Sequence, residues 1–149
     1  MSIKSFILLD FNGVIAKSFS LIEGMSEVIK ELSQHNSLGI ISSDTSYEII
    51  DFLHDNNLSN YFVEVLGSDS SGNKTAKIKL IFQTYQLEPT DCIFITDTLS
   101  DLREAHETLV KTIAVTWGLH TVETLHKGNP DQIVTSPQEL LSIIHQIQS

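Results

Sequence analysis

Cysteine is all but missing from this sequence. Cys92 stands alone, so no disulfide closes within the chain, and a small stapled scaffold is excluded. Positive charge is scarce as well: nine Lys and Arg face nineteen Asp and Glu, a formal net charge of −10 at pH 7. Such a surface repels polyphosphate backbones and anionic headgroups, which excludes nucleic acid and membrane as partners. Long apolar runs are absent too. The N-terminal "FILL" stops at Asp10 after four residues, short of a membrane span or a signal-peptide core. There is no internal repeat, low-complexity tract or linker. The expectation is a cytoplasmic protein with no targeting segment.

What is present is ordinary in amount and informative in order. With 149 residues, 41% of them hydrophobic, the chain is long enough for one well-filled domain over residues 1–149. Apolar runs alternate with stretches of helical period. Strands are predicted in "SFILLDF", "SLGIISS", "YFVEVLG", "DCIFITD" and "TIAVTWG". Between them lie helices in "EGMSEVIKELSQH", with Met25, Val28, Ile29 and Leu32 on one face, and in "SYEIIDFLHDNN", with Ile49, Ile50, Phe52 and Leu53 inward. Further helices are predicted in "TAKIKLIFQTYQL" and "LSDLREAHETL". A last helix opens on Ser136 and Pro137, with Glu139 completing a capping box. This alternation predicts an α/β, three-layer, Rossmann-like fold around a five-stranded parallel sheet.

In such sheets ligands bind beyond the carboxyl ends of the strands, so the residues there carry the functional signal. The first strand ends in Asp10-Phe11-Asn12 before Gly13, the second in Ser42-Ser43-Asp44, and the fourth in Asp97-Thr98, with Asp101 close behind. Lys74, Lys77 and Lys79 cluster between the second and fourth. Any one oxygen-bearing strand end is commonly a helix cap. Three together, with lysines between, read as one site more readily than as three separate caps.

Taken in order, these stretches resemble the four motifs of the haloacid dehalogenase superfamily. "LLDFNGV" is similar to its aspartate-x-aspartate-glycine turn, "LGIISS" to its strand ending in Ser or Thr, and "GNKTAKIK" to its lysine-bearing helix start. "FITDTLSD" resembles its glycine-aspartate turn with Thr96 in place of glycine, and "TIAVTWG" is similar to the branch containing phosphoglycolate phosphatases. The resemblance implies Asp10 as a nucleophile that forms an acyl phosphate and Mg²⁺ held by Asp10, the Asn12 carbonyl and Asp97, with Asp101 behind them. It implies Ser42 on a phosphoryl oxygen and Lys74 neutralising the transferred group. Ser43 reads as a phosphate neighbour or as the cap of the next helix. Lys77 and Lys79 remain alternatives to Lys74, Lys77 reading also as a solvated face residue.

Asn12 departs from the pattern. The superfamily's second aspartate protonates the leaving group and then activates water, and an amide does neither; losing such help costs ~10²–10⁴-fold. Asp44 is a candidate substitute or a surface cap. The expectation is therefore a slow, Mg²⁺-dependent phosphohydrolase, or alternatively an impaired module that binds Mg²⁺ and phosphate. A P-loop is excluded because Asn73 separates Gly72 from Lys74 in "GSDSSGNKT". A phosphoacceptor receiver would carry its acceptor after the middle strand. Only about ten residues separate the Asp10 turn from the first helix, and nothing large lies between Ser42 and Lys74, so no sizeable cap domain is expected. An uncovered site suits a phosphorylated small molecule, a bulky phosphorylated substrate, or a lid supplied by a neighbouring subunit or by the "IAKSFSLIEG" loop.

Overall fold

A computed structural model describes residues 3–149. Its central element is a parallel sheet of six strands in the order β5-β4-β1-β6-β7-β8. These are β1 (Phe6–Leu9), β4 (Ser37–Ile41), β5 (Glu64–Leu66), β6 (Cys92–Thr96), β7 (Lys111–Val115) and β8 (Gln132–Val134). A separate hairpin, β2 (Ala16–Lys17) and β3 (Ser20–Leu21), projects after β1. The helices are α1 (Met25–Ser33), α2 (Ser46–Asp55), α3 (Lys74–Tyr85), α4 (Leu99–His106), α5 (Val122–His126) and α6 (Pro137–Gln148).

Alternation along the buried strands divides the core into two faces. Ile7, Leu9, Ile93 and Ile95 point to one side, where they meet Met25 and Ile29 of α1, Ile49 and Phe52 of α2, and Leu140 and Ile144 of α6. Phe6, Leu8, Cys92 and Phe94 point to the other, against Ile78 and Ile81 of α3 and Ala105 of α4. Leu102, Ala114 and Leu125 extend that second face under α5. The result is the expected three-layer arrangement.

Several local expectations change. The sheet has a sixth strand: β8 pairs in parallel with β7 through Ala114–Ile133 and Val115–Val134. Val134 alone of its three residues is fully buried, so it carries almost no apolar pattern. Ile50 lies on the solvent side of α2, while Ile49, Phe52 and Leu53 are buried. Thr45, not Ser43, caps α2, its hydroxyl accepting the Glu48 N–H. At α6 the Ser136 hydroxyl accepts the Glu139 N–H, but the Glu139 carboxylate returns to the Thr135 N–H at 2.6 Å instead of closing the box on Ser136.

Ranked by position in the chain, the six strands lie in the order third, second, first, fourth, fifth, sixth. Strand order thus reverses between β1 and β6, which pair directly from Phe6–Cys92 to Leu9–Ile95. A receiver would place its first strand between its second and third; here the first lies between the second and fourth. Between β1 and α1 the only insertion is the β2–β3 hairpin, and α2 starts five residues after β4 ends. No cap domain is built into either connection.

Candidate active site

Asp10 follows β1 directly, its N–H donating to the Ile95 carbonyl at 3.0 Å, so its place is fixed by the sheet. Asp97 follows β6, the neighbouring strand. Both carboxylates therefore stand at the point of strand reversal, on the floor of a cleft of about 580 Å³ that Asn12, Lys74 and Asp101 also line. Phe11 N–H donates to Asp10 Oδ1 at 2.8 Å, which orients the carboxylate. The Lys74 ammonium lies 3.6 Å from Asp10 Oδ2 and 3.0 Å from Asp101 Oδ2. Thr96, the residue in place of glycine, donates its hydroxyl to Asp101 Oδ2 at 3.1 Å and lies 3.5 Å from Asp10 Oδ2.

The backbone at Gly13 and Gly118 explains how Asp97 fits. Gly13 has φ +92°, and a Cβ on either glycine would overlap the Asp97 carboxylate. Asp97 Oδ2 accepts the Leu119 N–H at 2.8 Å. Its Oδ1 is buried without any hydrogen-bond partner. An orphaned carboxylate oxygen is costly to bury.

Electrostatics follow from this crowding. Burial pushes the Asp10 carboxyl well above its ordinary range; Lys74 opposes the shift, and the hydrogen bond and charge of Asp101 add to it. Burial also raises Asp97. At Asp101 burial acts upward too, but the hydrogen bond with Asp10 and the Lys74 charge outweigh it and hold the group low. Burial alone would lower Lys74, yet Asp10 and Asp101 raise it.

Three carboxylates, Asp10 and Asp97 buried and Asp101 half-buried, face one ammonium, a balance that suits a divalent cation. Among the described residues no three His, Cys, Asp or Glu side chains form a closed metal cage. Mg²⁺ does not need one: it takes one or two carboxylates and completes its shell with water and substrate phosphate. Asp10, the unpartnered Oδ1 of Asp97 and the Asn12 carbonyl are the donors that fit.

The remaining candidates separate clearly. Ser42 is buried; its hydroxyl accepts the Asp44 N–H at 3.1 Å and lies 3.3 Å from Asp44 Oδ2 as donor. Asp44 is thus engaged with Ser42. Ser43 is exposed and lines the cleft. Lys77 is not a solvated face residue: it is buried, and its ammonium donates to the Ser42 carbonyl at 3.2 Å, bracing the end of β4. Lys79 is exposed and lies outside the cleft. Asn12 is exposed and lines the cleft. Glu104, which accepts the Lys74 N–H at 2.8 Å, is a further contact that the sequence did not announce. The same holds for His120, whose Nδ1 accepts the Leu99 N–H at 2.9 Å.

Comparison with known proteins gives the family and the fold. The model of the haloacid dehalogenase-like hydrolase family matches residues 3–115. A phosphoglycolate phosphatase of Vibrio vulnificus is 26% identical over 124 residues, 80% of this chain and 54% of that protein. One from Photorhabdus laumondii is 28% identical over 138 residues, 90% of this chain and 59% of that protein. The chain thus spans just over half the length of these relatives. Among solved structures, a predicted phosphatase from Clostridium acetobutylicum superposes with a TM-score of 0.88 at 17% identity, covering 97% of this chain and 100% of that one. A haloacid dehalogenase-like family protein from Streptococcus pneumoniae gives 0.84 at 19% identity, covering 94% and 98%. At that identity the two structures speak for the fold alone.

Proposed function

The chain belongs to the haloacid dehalogenase-like hydrolase family, and from that premise we propose that it is a Mg²⁺-dependent phosphomonoesterase working through an aspartyl phosphate on Asp10. The observation that carries this reading is the juxtaposition at the strand reversal: the carboxylate of Asp10, an ammonium 3.6 Å from it, and an unpartnered carboxylate oxygen on Asp97. Bound there, Mg²⁺ would withdraw charge from the phosphoryl oxygens and oppose the burial that raises the Asp10 carboxyl.

The chain's own residues supply the rest. Phe11 N–H fixes one Asp10 oxygen, so the carboxylate approaches phosphorus in a set orientation. An Asp10 oxygen forms the new P–O bond as the bond to the leaving alkoxide breaks. Lys74 stays beside the reacting group and neutralises charge there, itself held by Asp101 and, through its N–H, by Glu104. Asn12 has no proton for the departing alkoxide and cannot take one from water in the second step. Both protons must be exchanged with solvent in the open cleft. The alternative reading, a module that binds Mg²⁺ and phosphate without useful turnover, rests on the same amide.

The two are separated by leaving groups. Nitrophenolate and carboxylates leave without a proton, whereas alkoxides need one. Aryl and acyl phosphates should be turned over in an Asp10-dependent way, and alkyl phosphates hardly at all. Asn12→Asp should raise alkyl phosphate hydrolysis by ~10²-fold or more and aryl phosphate hydrolysis by less, at one fixed pH. If neither rate responds to Asn12→Asp and Asp10→Ala changes nothing, the protein is the binding module.

A further inference from the structure

The loop from Trp117 to His120, between β7 and α5, packs around Asp97. Gly118 sits against its carboxylate, where any Cβ would overlap. Leu119 N–H donates to Asp97 Oδ2 at 2.8 Å, and His120 N–H donates to the Asp97 carbonyl at 3.3 Å. Leu119 itself is 73% exposed, so packing of its side chain does little to fix that peptide. Its place depends on the residues to either side. Upstream, the Trp117 indole N–H donates at 3.0 Å to the carbonyl of Val14, in the turn that follows Asp10. Downstream, His120 Nδ1 accepts the Leu99 N–H at 2.9 Å. Leu99 is the first residue of α4, and the opening N–H groups of a helix have no partner within it. Thr98 takes the Asp101 N–H there, and His120 takes that of Leu99. The imidazole thus ties the loop to the helix that carries Asp101.

A carboxylate that binds a metal through one oxygen is directed by what its other oxygen touches, and such outer partners carry a large share of metal affinity. Here Leu119 N–H occupies one Asp97 oxygen and leaves Oδ1 without a partner. We propose that His120 is a positioning residue for the metal: by anchoring the loop to α4 it holds the Leu119 N–H on Asp97 and so sets the affinity for Mg²⁺. The inference rests on the metal-dependent reading of the site. His120 does not itself line the cleft, so replacing it takes away neither a ligand nor a substrate contact.

The test is calorimetric titration of the full chain with Mg²⁺ alone, for wild type, His120→Ala, His120→Leu, His120→Asn and Asp97→Ala. His120→Ala should weaken Mg²⁺ binding about tenfold, the lower end of what losing an outer partner costs. His120→Leu, which fills much of the ring's space without an acceptor, should behave in the same way. His120→Asn should recover most of the loss, because its side-chain oxygen can accept the Leu99 N–H as the ring nitrogen does. Asp97→Ala should abolish binding. Urea midpoints of the same proteins separate positioning from general support. Alanine and leucine variants that are less stable yet bind Mg²⁺ as tightly as wild type overturn the inference, and so does an asparagine variant that binds no better than they do. With Asp97→Ala inactive in binding, either result leaves the metal site standing and removes only the role of His120. Mg²⁺ affinity that survives Asp97→Ala, or a wild type that binds no Mg²⁺, removes the metal reading itself and the inference with it.

Discussion

Asp10 must be ionised to attack phosphorus, yet burial favours its protonated form and Lys74 only partly offsets that. This conflict has a measurable consequence for stability in metal-free buffer. The folded pKa lies above the unfolded one, so between the two the native state holds a proton that the unfolded chain has released. Stability should therefore fall as pH rises from the ordinary carboxylate range through the folded pKa of Asp10. Asp101 acts in the opposite sense and in a different window: its lowered pKa gives stability that is lost only as pH falls below that range. Asp10→Asn, which keeps shape and removes this titration, should stabilise the apo protein at pH 7 by about 1–2 kcal/mol and make the alkaline limb shallower, leaving the part that the raised Asp97 carboxyl contributes. Saturating Mg²⁺ should flatten the limb in the wild type. Urea midpoints between pH 5 and pH 8, with chelator and with Mg²⁺, check both statements; an Asp10→Asn protein less stable than wild type in chelator would contradict them. The positions of Asp10 and Asp97 were legible because each ends an apolar strand run. The choice between Lys74 and Lys77 was not, since both lie within one turn of a helix start, and only tertiary contacts assign one to carboxylates and the other to a carbonyl. Gly118 gave no signal, because its need to be glycine arises from a side chain 21 positions earlier in the chain.

The elements that sequence pattern captured are those with a repeating apolar stripe. α1 buries the four residues expected of it, and β1, β4, β6 and β7 coincide with the longest apolar runs. Three short elements escaped. The β2–β3 hairpin pairs only two residues on each side, α5 has five residues, and β8 has three, too few for a period to register. Of these the hairpin borders the cleft through Lys17 and Ser18, and its latch is Phe19. That ring remains 45% exposed, so its value lies in the contacts with Phe11 and Phe52 more than in burial. Phe19→Ala should cost about 1 kcal/mol in global stability, within the range for aromatic pairs. Urea midpoints of this variant against wild type check the figure; an unchanged midpoint would show that the backbone bonds at Ala16 and the Trp117 contact suffice to hold the hairpin.

At the scale of the molecule, alternation of strands and helices fixed the class of fold but not the strand order, because pairing is decided by contacts between distant segments. The order matters: it places Asp10 and Asp97 on adjacent strands. The missing cap was legible in the short connections, and its consequence is access. The connections after β1 and β4 carry no cap domain, so a small solute can reach any acyl phosphate formed there. With Asn12 unable to activate water, that intermediate should outlast the one formed when an aspartate occupies the position. Hydroxylamine needs no such base: its nitrogen attacks the acyl carbon, the C–O bond to the phosphoryl group breaks, and inorganic phosphate leaves as Asp10 becomes a hydroxamate. Hydroxylamine should thus inactivate the protein only while an aryl phosphate and Mg²⁺ are present, with the modification mapping to Asp10 by peptide mass spectrometry. Asn12→Asp should slow this inactivation, because faster hydrolysis lowers the standing level of the intermediate. Labelling that is independent of substrate would mean simple chemical damage. Turnover without labelling would mean that water attacks phosphorus directly, with Asp10 serving the metal and never forming a bond to the phosphoryl group.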